Sequence, residues 1–441
     1  MKVRVLAVVV IALFLYLGWD NLISKSDETE RIYEQALQEA RNQADLGINE
    51  KAFENYKSAL AQKESFELRC EIVEFLKNAG AYKSLEKEYK SLLEMYPKEA
   101  KTYEYLCSYA AETGEIWDLY DNALLMKNRG VSSELVEQLK YDHRYDYEIQ
   151  NNGYIKIDPY MYGYAKVYSN DGRVGFLDAW ENQVVSAIYN IAAPYSDIGY
   201  FAVQDSNGEL IFIDMDGVKT YVDSQKRNMV FEDVQGFASG MMSVKQNGYY
   251  RYIDSDYNDI NENKKFNFAG MFNENRAAVK TDAGWFIIDE KLEQVSPVFE
   301  EIKLTENNIA VISGRCVIKK DNTWYLADEN GNIVVQQGYE DICPPLDLKG
   351  EGAIAVKKGG KWGFIDKNGN TIIDFKYDNA RSFCGSFAAV AREELWTVID
   401  NEGKELFEPK FLAILEMSVN GKFPVLTDKG WGMITFYSMR Y

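Results

Sequence analysis

The chain has 441 residues, of which 46% are hydrophobic, and its formal charge is -20. This hydrophobic content supports a packed core and argues against wholesale disorder, and the length allows two or three domains. Acidic residues outnumber basic ones in both large regions of the chain, so nucleic acids and anionic wall polymers are poor partners on electrostatic grounds. The single histidine, His143, excludes any site that needs two imidazoles.

Residues 1–26 predict a membrane anchor or a signal segment. Lys2 and Arg4 precede an uncharged apolar run over residues 5–19, and an acidic stretch begins at Asp20. The run is short for a span, but Lys2 and Arg4 extend it by snorkelling. No small-x-small cleavage site follows closely, so we favour an uncleaved anchor over a cleaved secretory signal or a buried core helix. This predicts a single-pass cell-membrane protein with a cytoplasmic N-terminus and an extracytoplasmic bulk.

Residues 27–150 predict paired helices. Gly47, Gly80 and Gly114 lie 33 and 34 residues apart, each between two amphipathic segments where a helix pair needs a tight turn. Apolar or small residues follow each glycine at helical spacing, and a small residue precedes it. These positions are Ala40, Ala52, Tyr56 and Ala59 in the first unit, Val73, Leu85, Tyr89 and Leu92 in the second, and Cys107, Leu119, Ala123 and Met126 in the third.

The unit Gly47-x4-Ala52-x3-Tyr56-x2-Ala59 resembles the tetratricopeptide repeat, and Pro97 matches the terminal proline of that family. We expect a final solvating helix over residues 132–143, capped by Ser132 or Ser133. The resemblance implies that the first helix of each pair lines a groove for peptides or partner helices. Matched by position, the candidate groove residues are Glu34, Leu37, Arg41, Glu67, Glu74, Lys77, Lys101, Glu104 and Ser108. The alternative is that the helical units are only a spacer.

The remaining chain, residues 151–441, is built from a repeated β pattern. An aromatic–aliphatic strand ends in aspartate at intervals of 34 to 40 residues, and a truncated copy covers residues 431–435. Such a period is typical of an array or ring of supersecondary units. The aspartates are Asp178, Asp214, Asp254, Asp289, Asp328, Asp366 and Asp400.

The cleanest unit spans residues 352–377. An alternating segment over residues 352–357 predicts a half-buried strand, KWGFID forms a second strand, and Asn368-Gly369 supplies the positive φ values of a hairpin turn. The segment from Gly360 to Gly369 resembles the WG-repeat (KWG-type) family, and the resemblance covers residues 153–441 in seven to eight copies. It implies an all-β array with an interaction role and no assigned catalysis.

We favour a closed, propeller-like ring over an open β-array, because closure removes exposed strand edges. The truncated last copy would then be completed by strands from residues 153–168. Closure of this kind would join the two ends of the repeat region.

Five tryptophans recur at one position of the repeat, which is typical of a core position but also allows sugar stacking. They are Trp285, Trp324, Trp362, Trp396 and Trp431. The Asp-x-Asn-Gly segments fit tight turns better than calcium loops, because the remaining ligands of an EF-hand are missing. Asp254 and its acidic neighbours are the best cation candidate. The five scattered cysteines predict small buried side chains.

The sequence therefore predicts an α+β multidomain chain: an anchor over residues 1–26, tetratricopeptide-like helices over 27–150 and a WG-repeat β domain over 151–441. We expect a non-catalytic interaction or scaffold protein with no catalytic residue, cofactor or metal. Its expected partners are a protein, bound by the helical and β-repeat surfaces, and the membrane, through the N-terminal helix. A carbohydrate- or cell-wall-binding module is the alternative, so a glycan partner stays open.

Overall fold

The computed structural model describes residues 28–150, 153–195, 199–214, 219–220, 230–260, 264–346, 352–418 and 421–439. The chain divides into two compact units, and the boundary lies between Arg144 and Tyr145. The first unit is helical and the second is built of β-sheets. The helical unit thus ends a few residues before the predicted boundary at residue 150, because residues 147–150 form a strand of the β unit.

The described part of the helical unit contains seven α-helices. They are α1 (28–45), α2 (Asn49–Gln62), α3 (Phe66–Asn78), α4 (Tyr82–Met95), α5 (Ala100–Thr113), α6 (Ile116–Asn128) and α7 (Glu134–Asp142). Gly47, Gly80 and Gly114 have φ values of 72°, 65° and 79° in the turns between paired helices, a conformation that costs glycine little. Ser133 caps α7, because its side chain accepts a hydrogen bond from the backbone N–H of Val136.

The core of the helical unit is the one predicted from the spacing. All twelve predicted small and apolar positions are buried, from Ala40 in α1 to Met126 in α6. Most of those in the first two pairs belong to one cluster with Leu68, Ile72 and Leu76 of α3. Burial of one face of each helix against its neighbours therefore holds this unit together, since short helices are marginal in isolation.

The prediction of a single-pass membrane protein is wrong for the part of the chain that the structure describes. No helix there is long and apolar enough to cross a bilayer. The predicted anchor, residues 1–26, lies outside the described residues. We therefore drop three predictions: the membrane anchor as part of the fold, the membrane as a partner and the extracytoplasmic location.

The described part of the β unit contains eight antiparallel sheets, each opening with a two-residue strand. Sheet 1 has β2 (Lys156–Ile157), β3 (Ala165–Tyr168), β4 (Val174–Leu177) and β5 (Gln183–Tyr189); sheet 2 has β6 (Ile191–Ala192), β7 (Phe201–Gln204), β8 (Leu210–Ile213) and β9 (Lys219–Thr220). Sheet 3 has β10 (Asp233–Val234), β11 (Met242–Gln246) and β12 (Tyr249–Ile253); sheet 4 has β13 (Phe268–Ala269), β14 (Ala277–Thr281) and β15 (Gly284–Ile288).

The remaining four sheets repeat this order. Sheet 5 has β16 (Glu301–Ile302), β17 (Arg315–Lys320) and β18 (Thr323–Asp328); sheet 6 has β19 (Asp341–Ile342), β20 (Ile354–Lys358), β21 (Lys361–Ile365) and β22 (Thr371–Tyr377). Sheet 7 has β23 (Asn379–Ala380), β24 (Phe387–Arg392) and β25 (Leu395–Asp400); sheet 8 has β26 (Ala413–Ile414), β27 (Lys422–Thr427), β28 (Gly430–Phe436) and β1 (Tyr147–Gln150).

The middle strands of the sheets are buried on both faces. In β20, Ile354 and Val356 pack against sheet 5, whereas Ala355 packs against sheet 7. The half-buried strand predicted over residues 352–357 is therefore wrong: a sheet between two neighbours has no solvent face. This explains why residues 353–356 are apolar or small throughout rather than alternating with polar residues.

The eight sheets form a closed ring, as predicted. Shared apolar clusters join each sheet to the next, and Ile157 and Val167 of sheet 1 share a cluster with Met433 of sheet 8. The outermost strand of sheet 8 is β1, which pairs antiparallel with β28 from Tyr147↔Phe436 to Gln150↔Met433. The completing strand thus precedes residues 153–168, which instead begin sheet 1.

A buried ion pair lies at the junction of sheets 1 and 8. Glu181, in the turn between β4 and β5, accepts hydrogen bonds from Lys422 Nζ of β27 at 2.8 Å and from the Thr435 hydroxyl of β28 at 3.0 Å. The side chains of Glu181 and Lys422 are only 1% and 9% exposed. This contact links segments from opposite ends of the β unit.

Candidate functional site

The first candidate site is a face shared by α1, α3 and α5, on which most of the predicted groove residues lie. Arg41 of α1 makes a two-pronged ion pair with Glu71 of α3, both N···O distances being 2.7 Å. Lys77 of α3 pairs with Glu112 of α5 at 2.7 Å. The hydrogen bond from Arg41 lowers the pKa of Glu71. These cross-helix contacts show that the three helices lie side by side; we call this the α1–α3–α5 face.

The predicted residues differ in what they contact. Glu34, Glu67 and Glu74 are exposed and form no ion pair with the residues that the structure describes. Leu37 packs partly buried against the helical core, and Ser108 is half-buried in α5. Glu104 accepts a hydrogen bond from the Ser133 hydroxyl at the start of α7.

Tyr105 was missed by the sequence analysis and lies within this face. The ammonium of Lys101 is 5.4 Å from the centre of its ring, and Glu74 and Cys70 of α3 face its hydroxyl. Burial raises the pKa of that hydroxyl well above its usual range. The signal was available in the sequence, since Lys101 and Tyr105 are four residues apart and share one side of a helix.

The repeated aspartates of the β unit form turns. Asp366 Oδ1 accepts hydrogen bonds from the backbone N–H groups of Asn368 and Asn370, both at 2.8 Å, and Asp366 Oδ2 accepts one from the Asn370 side chain. Asp254, the cation candidate, is held in the same way by Asp256 and Asn258. The turn interpretation is confirmed, because these carboxylate oxygens already accept local hydrogen bonds.

The repeated tryptophans occupy core positions in at least three sheets. Trp324, Trp362 and Trp396 are 6–7% exposed, whereas Trp285 and Trp431 are half-buried. Lys303 and Lys319 lie over the Trp324 ring at 4.8 and 5.5 Å, and Arg381 lies over Trp396 at 5.2 Å. These faces are covered by the protein itself. Binding of a glycan stays a prediction.

All five cysteines are buried and free, as predicted. Burial raises the pKa of the Cys107 thiol and of the Cys343 thiol to about 12, so neither is a ready nucleophile. No group of metal-ligating side chains comes together among the described residues.

The second candidate site lies where loops from six of the eight sheets meet, and hence near the ring axis. The loops that follow the two-residue strands of sheets 1, 4, 5, 6, 7 and 8 enclose a cavity of about 160 Å³. Its wall is mostly apolar and includes Met161, Ile309, Leu346 and Met417, with Glu416 among its few polar residues. We call this cavity the axial pocket.

The loop between β16 and β17, residues 303–314, reaches across the ring beside this pocket. The backbone N–H of Glu306 donates to Glu416 Oε2 of sheet 8 at 3.0 Å. Asn308 donates from its side chain to Gln235 of sheet 3 at 2.7 Å, and its carbonyl accepts from the Met271 N–H at 3.0 Å. The loop of one sheet is thereby tied to three others.

Glu416 carries a buried carboxyl group with a raised pKa. It is 8% exposed, and burial raises its pKa to about 7, assisted by the charge of Glu306 and opposed by the Glu306 N–H and by Arg381. Glu416 was not among the residues predicted from the sequence. The sequence did contain a signal at the position two residues after the short strand. This position holds Glu416 in sheet 8 but the uncharged residues Pro159, Met271 and Ser382 in sheets 1, 4 and 7.

Sequence comparison identifies the repeats. Residues 263–285, 326–362, 362–396 and 396–431 match the family described as the WG-containing repeat. No curated protein matches the chain.

Solved structures show weak likenesses. BamB from Moraxella catarrhalis is 11% identical, with 65% of this chain and 92% of that chain covered and a TM-score of 0.36. The computationally designed Ika8 protein is 11% identical, with 66% and 98% covered and a TM-score of 0.40. The Cps50 (Swd1) β-propeller domain from Myceliophteria thermophila is 11% identical, with 56% and 95% covered and a TM-score of 0.33.

The ring is established by its own strand pairing and shared cores, and the sequence match lies within sheets 4 to 8. Aspartate turns and three buried tryptophans lie within these sheets. Residues 263–285 and 326–431 of this chain therefore match the WG-containing repeat.

Proposed function

We propose that this chain is a non-catalytic interaction protein that binds a basic segment of a protein partner on the α1–α3–α5 face. Repeat arrays of this kind present extended surfaces rather than a single buried reaction centre, which supports an interaction role. The β-repeat ring then serves as a second interaction surface or as a platform.

The observation that carries the proposal is the excess of carboxylates on this face. Arg41 and Lys77 are each paired with a glutamate, while Glu34, Glu67 and Glu74 have no cationic partner among the described residues. Exposed like charges repel one another, and a lysine- or arginine-rich segment relieves that repulsion on binding. The net charge of -20 steers such a segment towards the protein.

Tyr105 supplies the apolar component of this surface. An aromatic side chain amid charged residues is a frequent anchor in interfaces, because it offers a large contact area with little entropy to lose. Lys101 covers one side of the half-buried ring, and Glu74 beside the hydroxyl carries the negative charge that a lysine or arginine of the partner would meet.

The test is titration of a fluorescein-labelled peptide of alternating lysine and leucine residues into the full-length protein, followed by anisotropy. The variant Glu67→Lys/Glu74→Lys is compared with Glu86→Lys/Glu94→Lys, which makes the same charge change at exposed positions of α4. We expect at least a tenfold loss of affinity for the first variant and less than a threefold loss for the second. Equal losses would contradict the proposed site, because they would reflect net charge alone.

A further inference from the structure

The axial pocket combines a mostly apolar wall and a few neutral polar side chains with one buried carboxyl group. Met161 of sheet 1, Ile309 of sheet 5 and Met417 of sheet 8 line it, and Glu416 is more than nine-tenths buried within the same lining. Apolar walls with a few fixed polar groups are typical of small-ligand sites. This pocket belongs to the ring and is separate from the helical face discussed above.

One oxygen of Glu416 has a partner and the other does not. Oε2 accepts the N–H of Glu306, whereas Oε1 accepts no hydrogen bond from any residue that the structure describes. No cation among those residues lies within ion-pair distance of this carboxyl. A buried carboxylate without a full set of partners is costly, and such groups mark sites where a ligand supplies the missing donor.

Arg381 and Lys156 are the cations of this neighbourhood, and neither forms an ion pair with Glu416; the buried Arg381 Nε has no hydrogen-bond partner among the described residues. The Arg381 guanidinium lies over the Trp396 ring, and Lys156 pairs with Asp158 at 2.7 Å while lying 3.9 Å from Glu306. Glu306 adds a second negative charge beside Glu416, and Arg381 is the cation that acts on it electrostatically. The pocket therefore offers a hydrogen-bond acceptor at its wall and methyl and methylene groups around it.

We propose that the axial pocket binds a primary alkylammonium group, with its chain against Met161, Ile309 and Met417 and its N–H donating to Glu416 Oε1. The ammonium supplies both charge and donors, which a neutral ligand of the same shape does not. Such a group occurs on a lysine side chain and on a free short-chain amine. The shared chemistry is a short apolar chain that ends in –NH3+.

The experiment is ligand-observed NMR titration of full-length protein with n-pentylamine, at pH 8, where the amine remains protonated. We expect n-pentylamine to bind at least fivefold more tightly than n-pentanol, its neutral isostere. Glu416→Gln should weaken binding of n-pentylamine at least fivefold. Glu402→Gln, in an exposed turn of sheet 7, should change this affinity less than twofold. Equal binding of amine and alcohol, or no binding of either, would overturn the proposal.

Two further arms make the outcome independent of any one variant. In the wild-type protein, affinity for n-pentylamine should rise at least threefold from pH 6 to pH 8 as Glu416 ionises. Affinity for n-pentanol should stay constant over this range. An affinity for n-pentylamine that does not change with pH would contradict the proposed site. N-acetyl-lysine methylamide tests the source of the group. Binding equal to that of n-pentylamine assigns a lysine side chain, and binding of the free amine alone assigns a small amine.

Discussion

At the scale of single residues, the glycine that follows the repeated tryptophan has a definite structural role. A Cβ on Gly363 would lie 2.8 Å from the carbonyl oxygen of Ile373, and one on Gly175 would lie 2.5 Å from that of Val185. Both glycines face a bulged fourth strand of seven residues, β22 or β5. The missing side chain lets this strand approach its neighbour closely.

Sheets without this glycine have a reduced fourth strand. Phe286, Tyr325 and Thr397 occupy the equivalent position in sheets 4, 5 and 7, and there the described pairing is limited to isolated bridges such as Trp285↔Phe299 and Trp396↔Phe411. In sheet 7 the Thr397 hydroxyl instead donates to the carbonyl of Phe407 at 2.6 Å. The degeneracy of the WG pair along the sequence thus corresponds to a structural difference between sheets.

Replacing Gly363 should therefore loosen β22. We expect Gly363→Val to lower the free energy of unfolding of the ring by about 3 kcal/mol, because the new side chain overlaps the backbone of residues 373–375. Tryptophan fluorescence in urea measures this, and amide hydrogen exchange along β22 should accelerate. Gly385→Ala, in an open turn at φ 61°, should cost only about 1 kcal/mol; a loss equal to that of Gly363→Val would rule out crowding as the cause.

Glu416 should make stability depend on pH. Its folded pKa of about 7 lies above the ordinary 4.5, so the folded state holds the proton more tightly than the unfolded state. The resulting stability is complete below about pH 4.5 and is lost as the pH rises towards 7, by roughly 3 kcal/mol at most.

Urea unfolding at pH 5, 6, 7 and 8 tests this dependence. The free energy of unfolding of the wild-type ring should fall between pH 5 and 7 by more than that of Glu416→Gln, which cannot titrate but still accepts the Glu306 N–H. Other titrating groups contribute to both proteins and cancel in the difference. Parallel curves for the two proteins would show that Glu416 is not the group responsible.

At the scale of elements, the β16–β17 loop is the segment that ties distant sheets together. Its residues contact sheets 3, 4 and 8 through Asn308 and Glu306. Gly270 makes this possible, because a Cβ there would lie 2.7 Å from the Asn308 carbonyl oxygen. The loop also supplies Ile309 and Thr305 to the axial pocket, so its position defines part of that site.

Gly270→Ala should displace this loop. The added methyl group is expected to lengthen the hydrogen bond from Met271 N–H to Asn308 and to destabilise the ring by about 1–3 kcal/mol. Hydrogen exchange of the Met271 and Glu306 amides is the direct readout and should accelerate at least tenfold. With Gly240→Ala, where the new Cβ meets open space, these two amides should keep their wild-type rates.

At the scale of the whole ring, closure depends on contacts between the two ends of the β unit. The β1–β28 pairing supplies backbone hydrogen bonds, and the Glu181–Lys422 pair supplies a buried electrostatic contact between sheets 1 and 8. A buried pair of this kind adds little net stability compared with an apolar pair, but removing one partner leaves an uncompensated charge. The pair therefore contributes more to the specificity of the junction between sheets 1 and 8 than to its stability.

Glu181→Ala should destabilise the ring by about 3–5 kcal/mol, because Lys422 then remains buried without a counter-charge. The double variant Glu181→Leu/Lys422→Met should recover most of this loss. Lys245→Ala, which removes one partner of the more exposed pair with Glu232, should cost less than about 1 kcal/mol. Urea unfolding compares the four proteins, and a double variant as unstable as Glu181→Ala would mean that the charge is not the cause.

The amino-acid sequence by itself determined the local features of this protein. The helix-pair cores from Ala40 to Met126, the cap at Ser133 and the aspartate turns such as Asp366–Asn370 were predictable. Each depends on hydrogen bonds and side-chain spacing within a few residues, which the order of residue types specifies directly.

Only the tertiary structure decided which remote residues meet. The pairing of Tyr147 with Phe436, the turn of Glu104 towards Ser133 and the position of Glu416 beside the 303–314 loop were not predictable from spacing. The number of sheets needed to close the ring sets which ends pair, and the meeting of loops from six sheets places the Glu416 carboxyl in an apolar cavity. Local periodicity carries no information about such contacts, because they depend on the summed geometry of the whole ring.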